Sequence, residues 1–329
     1  MENNKEFPKS LLQATRYFQD PDVCVDFVAA MRWPDGVTCP HCASKRVSYL
    51  SSRRIWKCMA KDCHKQFSVK TGGIFEDSLI PLDKWLTAVW LVVNCKNGVS
   101  SYEIARDLKV TQKSAWFMLH RIRLAMKDTR THKFGFGGPV EVDETYVGPN
   151  TVKMHKKRKA AIQARDGLKG SGSHVGKTVV HGILDRELRQ VRAQVMPKVR
   201  RETLQSIILR SVTPFATVVS DEAWHYDSLS KNFIHKVVNH TQEYVNGQIH
   251  TQGIENFWSL LKRGLRGTYV AVEPFHLDRY VDEQVFRYNN RATKDNPLTD
   301  ADRFLLAVSQ VSGKRLTYAE LTGKVGETN

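Results

Sequence analysis

The period of the apolar positions changes several times along this chain, and each change marks a boundary. Residues 1–30 read as a short helical lead, where FVAAMRWP gathers apolar side chains ahead of a Pro34-Asp35-Gly36 turn. Across 31–76 the segments VSYL and RRIWKC alternate, as two short strands of a hairpin do. From 77 to 132 the spacing becomes helical. PLDKWLTAVWLVVNC, SSYEIARDL and QKSAWFMLHRIRLAMK predict three helices, the first broken at Gly98 and the second capped by Ser100 with Glu103 at capping-box distance.

Beyond residue 138 strands return. PVEVDETYVG, TVVHGILD (178–185) and RQVRAQVM (189–196) predict an antiparallel set, followed by an amphipathic helix over 198–211 and an apolar strand, PFATVVSD, that ends at Asp221. Helical spacing resumes in IENFWSLLKRGL and in EPFHLDRYVDEQVFRYNNR, and LTDADRFLLAVSQV reads as a last capped helix before a loose GKVGETN tail. Strands first, then a helix crossing to another strand and further helices, is the order of an RNase H-like α/β core. The expected organisation is a helical lead (1–30), a zinc ribbon (31–76), a helix-turn-helix-like helical region (77–132), an RNase H-like α/β domain (133–295) with a basic loop at 151–177, and a C-terminal helix and tail (296–329).

Composition adds a partner class. Fifty lysines and arginines stand against 34 acidic residues, a formal charge of +16, which favours a polyanion because neutralising phosphates releases counterions. The first residues, MENNKEFPKSLL, lack the apolar core of a signal peptide, and the longest apolar run (85–95) is about half the roughly 20 residues a membrane helix needs. A cytoplasmic, nucleoid-associated protein with no membrane partner is expected. Six cysteines do not make a disulfide scaffold in a chain of 329 residues. Four have metal spacing: Cys39 and Cys42 as C-x2-C, Cys58 and Cys63 as C-x4-C, which suits one structural Zn²⁺ with His41 and His64 as bystanders. Cys24 and Cys95 lie in apolar stretches and read as buried thiols.

Two segments are candidates for DNA contact. Ile104, Ala105, Leu108, Val110, Ala115 and Leu119 have helix-turn-helix spacing, which puts Gln112, Lys113 and Trp116 near the leading end of a groove-reading helix. The stretch 151–178 carries eight lysines and arginines against one aspartate, and Lys156, Lys157, Arg158 and Lys159 would track a phosphate backbone. Gly176-Lys177-Thr178 is not a phosphate-binding loop, since Ser171 stands where that motif needs glycine and a strand follows.

The chemistry rests on three carboxylates. Asp143 and Asp221 sit in or at the end of β-branched runs, and Glu255 follows Asp221 after 33 intervening residues, at the start of a helix. Ile254, Phe257, Leu261 and Leu265 make a core stripe on that helix, with Glu255, Ser259, Lys262 and Arg266 on the adjacent flank. Neighbouring strands would bring Asp143 and Asp221 to about 4.8 Å backbone separation. Hard divalent ions take oxygen ligands, so these acids could hold two Mg²⁺ for phosphoryl transfer, with Mn²⁺ able to substitute. Gln252 and Asn256 are auxiliary oxygen donors; Trp224 and His225 are secondary DNA contacts; Glu144 should face away from Asp143; Asp282, Glu283 and Arg287 read as a surface pairing.

Through CPHC…C…C, EVDETYVG, VVSDEAWHY, HTQGIENFWSLLKRGLRGTY and RYVDEQVFRYNNR, the chain resembles the DDE transposases of bacterial insertion sequences, in the group with an N-terminal zinc ribbon. The resemblance implies Mg²⁺-dependent cleavage and strand transfer at element ends, double-stranded DNA partners (terminal inverted repeats and target), and a synaptic assembly of at least two subunits. It departs at Gln252, where the group's pattern leads one to expect Asn. A non-catalytic zinc-ribbon regulator, or a nuclease with the same core, are the competing expectations.

Overall fold

The computed structural model describes residues 6–148, 154–157, 160, 161, 164, 176–196, 199–222, 224–238 and 250–324. The chain forms two units, one of residues 1–127 with 290–329 and the other of residues 128–289.

The first unit opens with α1 (Leu11–Tyr17), capped by Ser10, and α2 (Pro21–Arg32), which has Asp20 as its cap and proline in its first turn. Strands β1 (Val47–Leu50), β2 (Ile55–Cys58) and β3 (Gln66–Phe67) make a small antiparallel sheet in that order. The first two are the expected hairpin, and the two-residue β3 adds to it. A sheet of this size cannot enclose a core, and its apolar contribution is a cluster of rings: Trp56 lies 5.6 Å from Trp33 and 6.1 Å from Phe67.

Helices α3 (Leu82–Asn94), α4 (Ser101–Leu108) and α5 (Gln112–Met126) follow as the periodicity predicts. The Ser100–Glu103 capping box is present in full, and Lys109 closes α4 in the left-handed conformation. Buried Arg121 of α5 donates to the carbonyls of Ile74 (3.1 Å), Glu76 (2.6 Å) and Leu316 (3.0 Å), so one cation ties two distant segments to α5. Cys24 is buried as expected and donates to the Phe18 carbonyl, and burial pushes its thiol up to about 12. Cys95 is only half-buried, because it sits just past the end of α3 rather than in its packed face.

The second unit is built on a five-stranded sheet. Its elements are β4 (Val140–Val147), β5 (Thr178–Asp185), β6 (Gln190–Met196), α6 (Arg201–Ser211), β7 (Thr217–Asp221), β8 (Ile234–Val238), α7 (Gln252–Gly264) and α8 (Leu277–Asn289). Strand order is β6-β5-β4-β7-β8. The first three are antiparallel, while β4–β7 and β7–β8 are parallel. This is the RNase H-like α/β arrangement, with one more strand, β8, than the sequence predicts.

Side chains alternate across the sheet. Val140, Val142, Ile183 and Val218 pack with Ile208 of α6 on one face. Val180, Leu184 and Val191 pack with Ile254, Phe257, Trp258, Val281 and Val285 of α7 and α8 on the other. At the β6 edge, Asn289 accepts from the Val191 amide (2.7 Å) and donates to its carbonyl (2.9 Å), so one amide side chain substitutes for a missing neighbour strand. Glu283 and Arg287 form an ion pair that also engages Tyr269; it is buried, not the surface pairing expected, because α8 turns this face toward the segment after α7.

The chain then returns to the first unit. Helix α9 (Asp300–Ser309) carries a Thr299–Asp302 capping box, and its Phe304 stacks with Phe27 and lies 5.0 Å from Trp90. A further helix, α10 (Tyr318–Thr322), follows the one expected to be last. Among the described residues no helix is long and apolar enough to cross a membrane.

Candidate metal centre and acidic face

The two cysteine pairs converge within the first unit. Cys39 and Cys63 sulfurs lie 3.8 Å apart, Cys42 and Cys58 sulfurs 3.5 Å apart, and all four lie within 4.8 Å of one another. A tetrahedron with Zn–S bonds of about 2.3 Å has edges of about 3.8 Å, so the four-sulfur cage fits that ion. It is the one such cluster of three or more potential ligands among the described residues.

In the second unit β4 positions two acids on opposite faces. The parallel register pairs Val140 with Val218 and Glu141 with Val219. Continued by two residues, it sets Asp143 level with Asp221 on the adjoining strand, on the face that α7 covers. On its other side Asp143 is paired with Gly182 of β5. Gly182 is where the sheet meets Trp258: a Cβ there would stand 2.6 Å from the indole ring. The ring therefore settles onto the sheet and donates its N–H to Asp143 at 2.9 Å. Burial pushes the Asp143 carboxyl up to about 7, the Trp258 hydrogen bond works against this, and the charges of Glu144 and Asp221 add to it. A buried acid raised by neighbouring acids is a site whose charge a bound cation would relieve.

Helix α7 is fixed at its start by a residue the pattern did not single out. Glu141 is fully buried, accepts from Arg186 Nε at 2.6 Å and from the Ile254 amide at 2.7 Å, and lies 3.7 Å from His250. Its carboxylate sits against the positive end of the helix. Gly253 makes the approach possible, since a Cβ there would lie 2.9 Å from the Glu141 carboxylate. The sequence did hold a signal, a glutamate set between Val140 and Val142 in a strand expected to be buried.

Glu255, one turn into α7, is exposed and accepts from Thr251 Oγ1 at 2.9 Å. Lys262 lies two turns on along the same flank. Burial and the charge of Arg266 push its ammonium down, opposed by the charge of Asp143. Among the described residues neither Lys262 nor Arg266 forms an ion pair. The structure thus places Asp143, Asp221, Glu255 and Lys262 around the α7–β4 junction, without closing the three carboxylates onto one point. Gln252 and Asn256 are exposed on the first turns of α7.

Glu144 faces the other way, as alternation requires. It accepts from His181 Nδ1 at 3.0 Å, from His225 Nε2 at 3.2 Å and from the Tyr226 hydroxyl. Burial works against its charge, but these donors outweigh it and bring Glu144 down to about 2. His225, raised in turn chiefly by its bond to Glu144, is committed inside the fold; the Trp224 side chain lies outside the described residues.

The candidate DNA contacts are dispersed. Gln112 and Lys113 are exposed at the start of α5, where Gln112 donates to Ser101 (2.8 Å) and Lys113 lies over the Tyr318 ring (4.6 Å). Trp116 is half-buried against His120. Lys156 and Lys157 are exposed, while Arg158 and Lys159 lie outside the described residues.

Residues 135–289 match the ISXO2-like transposase domain, and residues 19–66 match the transposase zinc-ribbon domain. The chain thus carries a transposase zinc ribbon followed by a transposase domain. A curated relative, an uncharacterized protein in transposable element ISH50 of Halobacterium salinarum, is 27% identical over 245 residues, covering 73% of this chain and 81% of its own. Among solved structures, a chain of a simian T-cell lymphotropic virus intasome in complex with PP2A regulatory subunit B56 gamma is 12% identical with a TM-score of 0.27. The match covers 54% of this chain and 62% of that one, too slight a likeness to bear on function. The zinc-ribbon match runs to Gln66, past Cys63, so all four cysteines fall inside it.

Proposed function

We propose that this transposase binds the ends of its insertion sequence and catalyses Mg²⁺-dependent strand cleavage followed by strand transfer. The observation that carries this reading is the level placement of Asp143 and Asp221 on adjoining parallel strands, under the helix that bears Glu255 and Lys262. Asp143, Asp221 and Glu255 would hold two Mg²⁺; when bound, these supply an activated oxygen nucleophile and neutralise charge on the leaving oxygen. Trp258 holds Asp143 in place through its N–H, and Glu141 anchors the helix that carries Glu255. Lys262 and Arg266 carry charge opposite to that of the acids, and they hold the phosphate backbone beside them. Cys39, Cys42, Cys58 and Cys63 hold a structural Zn²⁺, and Gln112, Lys113 and Trp116 at the head of α5, with Lys156–Lys159, contact end DNA. The acting form is a homodimer or larger assembly on two element ends and a target duplex, in a cytoplasmic, nucleoid-associated setting.

Asp143→Asn tests the reading on duplexes carrying the element end. Cleavage with Mg²⁺ should fall by at least a thousandfold while end binding stays within about threefold, since removing one metal ligand leaves the basic surface intact. Undiminished cleavage by this variant would remove Asp143 from the centre. A pre-cut end with a free 3′-hydroxyl separates transposase from nuclease: joining to target DNA is expected, and hydrolysis alone would favour a nuclease.

A further inference from the structure

The seams of the five-stranded sheet are unequal. β4 and β5 are laddered along their whole length, from Val140–Asp185 to Val147–Thr178. β7 and β8 are laddered as far as Asp221–Val238. Between β4 and β7 only Val140–Val218 and Glu141–Val219 are in register, so that seam opens two residues short of Asp143 and Asp221. Backbone pairing holds neighbouring strands about 4.8 Å apart only while the ladder lasts. Two carboxylates sharing one Mg²⁺ must each reach it at about 2.0–2.1 Å, a tolerance an open seam does not supply.

Glu144 spans this seam on the face opposite the acids. It leaves β4 one residue after Asp143, and two of its three donors stand in the single 3₁₀ turn Trp224–Tyr226 that follows β7. His225 Nε2 donates to Oε2 at 3.2 Å, and the Tyr226 hydroxyl donates to Oε1. Tyr226 is itself buried in the core beneath α6, and Gln205 of α6 donates to the His225 carbonyl at 3.1 Å. Toward β8, Ser220 Oγ donates to the Asp221 carbonyl at 2.8 Å. The third donor, His181, comes from β5, which is already joined to β4, so it steadies the carboxylate and closes no seam. Bonds to a charged acceptor are about twice as strong as neutral ones, which makes this joint stiff as well as buried.

We propose that Glu144 is a positioning residue: through His225 and Tyr226 it clasps the segment leaving β7 to β4, and so sets Asp221 against Asp143 at the separation a shared divalent ion requires. Glu144 faces away from the ion and does not ligate it. The inference rests on the reading of Asp143 and Asp221 as metal ligands, and metal binding without turnover separates the two.

The test measures Mn²⁺ binding to full-length, zinc-replete protein without DNA, following free Mn²⁺ by electron paramagnetic resonance, beside cleavage of an element-end duplex across Mg²⁺ concentrations. Glu144→Gln and His225→Leu should each weaken Mn²⁺ binding by about 10–100-fold, as losing an outer partner of a metal site does. The Mg²⁺ giving half-maximal cleavage should rise in step, with the rate at saturating Mg²⁺ within about threefold of wild type. His225→Gln, whose amide nitrogen can donate where Nε2 did, should recover Mn²⁺ binding to within about threefold. His181→Leu takes a donor from the same carboxylate and should lower the urea midpoint, yet leave Mn²⁺ affinity within about threefold. His225 is only half-buried, so its variants keep the test open should Glu144→Gln fail to fold. The clasp is overturned if Glu144→Gln and His225→Leu bind Mn²⁺ as wild type does, if His225→Gln fails to recover binding, or if His181→Leu weakens it equally, the mark of a general softening of the sheet. Asp143→Asn tells the two readings apart. Mn²⁺ retained by that variant would overturn the metal centre and the clasp with it; Mn²⁺ lost from it but kept by Glu144→Gln and His225→Leu would leave the centre and remove the clasp.

Discussion

Replacing Gly182 with alanine probes the joint between α7 and the sheet. The new methyl would stand 2.6 Å and 2.7 Å from two ring carbons of Trp258 and 2.9 Å from Ile254 Cδ1, whereas ordinary contact starts near 3.4 Å. The indole must therefore retreat by about 0.8 Å, or α7 must lift. Trp258 is only 4% exposed and packs at 5.0 Å from the Phe257 ring, so the retreat has nowhere to dissipate locally. A retreat of that size along its hydrogen bond to Asp143 would stretch it from 2.9 Å to roughly 3.7 Å, beyond bonding range. Overpacking costs about 1–3 kcal/mol, and losing a bond to a charged group about 1.5–3 kcal/mol. The two overlap, so a loss of about 2–4 kcal/mol is expected in urea unfolding followed by tryptophan emission. Cleavage should fall about a hundredfold, the usual penalty for misplacing a reacting group by about 1 Å. Trp258→Phe serves as the control, since it deletes the N–H without crowding and should reproduce the activity loss with less of the stability loss. G182A protein with wild-type cleavage and a midpoint shift worth less than about 0.5 kcal/mol would refute the close-contact account.

Arg186→Met should destabilise the second unit by about 3–5 kcal/mol, because it strands the fully buried Glu141 without its cation; a loss under 1 kcal/mol in urea unfolding would mean Glu141 is not held by that pair. Asp143 sets a pH dependence: its folded value of about 7 lies above the ordinary 3.8, so the native state holds the extra proton between the two. Metal-free protein should lose stability as pH rises from about 4 through 7, by at most about 4 kcal/mol, with D143N flattening the slope and Mg²⁺ restoring stability at pH 8. Unfolding midpoints at pH 5 and pH 8 that coincide in wild-type protein would contradict this. Atomic absorption should find one zinc per chain, released when the four sulfurs are titrated with a mercurial, with a red shift of emission from Trp56 as the ribbon opens. An unchanged emission on full release would show that the metal does not hold the ribbon together.

What the sequence made legible was local. The Ser100 capping box, the helical spacing of α3 to α5, the alternation of β4 to β6 and the paired cysteines each depend on residues within a few positions of one another. Strand β8 escaped because IHKVV leaves Ile234 and Val237 largely exposed, so no apolar period marks it. The two residues of β3 are too few to show a period at all. At the acidic face, Asp143 and Asp221 stood out as single residues, but their common level follows from a parallel register across 77 residues of intervening chain that no local pattern encodes. Glu141, Arg186 and Trp258 were missed for the same reason: each acquires its role from a partner brought in by the fold. Glu283 and Arg287 show the converse, a helical i,i+4 pair that looks superficial until Tyr269 closes over it.

The division of the chain has a bearing on its synthesis. The unit that holds the ribbon and α3 to α5 is completed by residues 290–329, among them Phe304, which seats among Phe18, Phe27 and Trp90, and Leu316, whose carbonyl caps Arg121. A ribosome must therefore finish almost the entire message before the first-made domain can close its core. A stop codon or frameshift between Cys63 and Phe304 yields a polypeptide that lacks this keystone even though every ribbon cysteine has been translated, so shortened products are poor candidates for stable proteins.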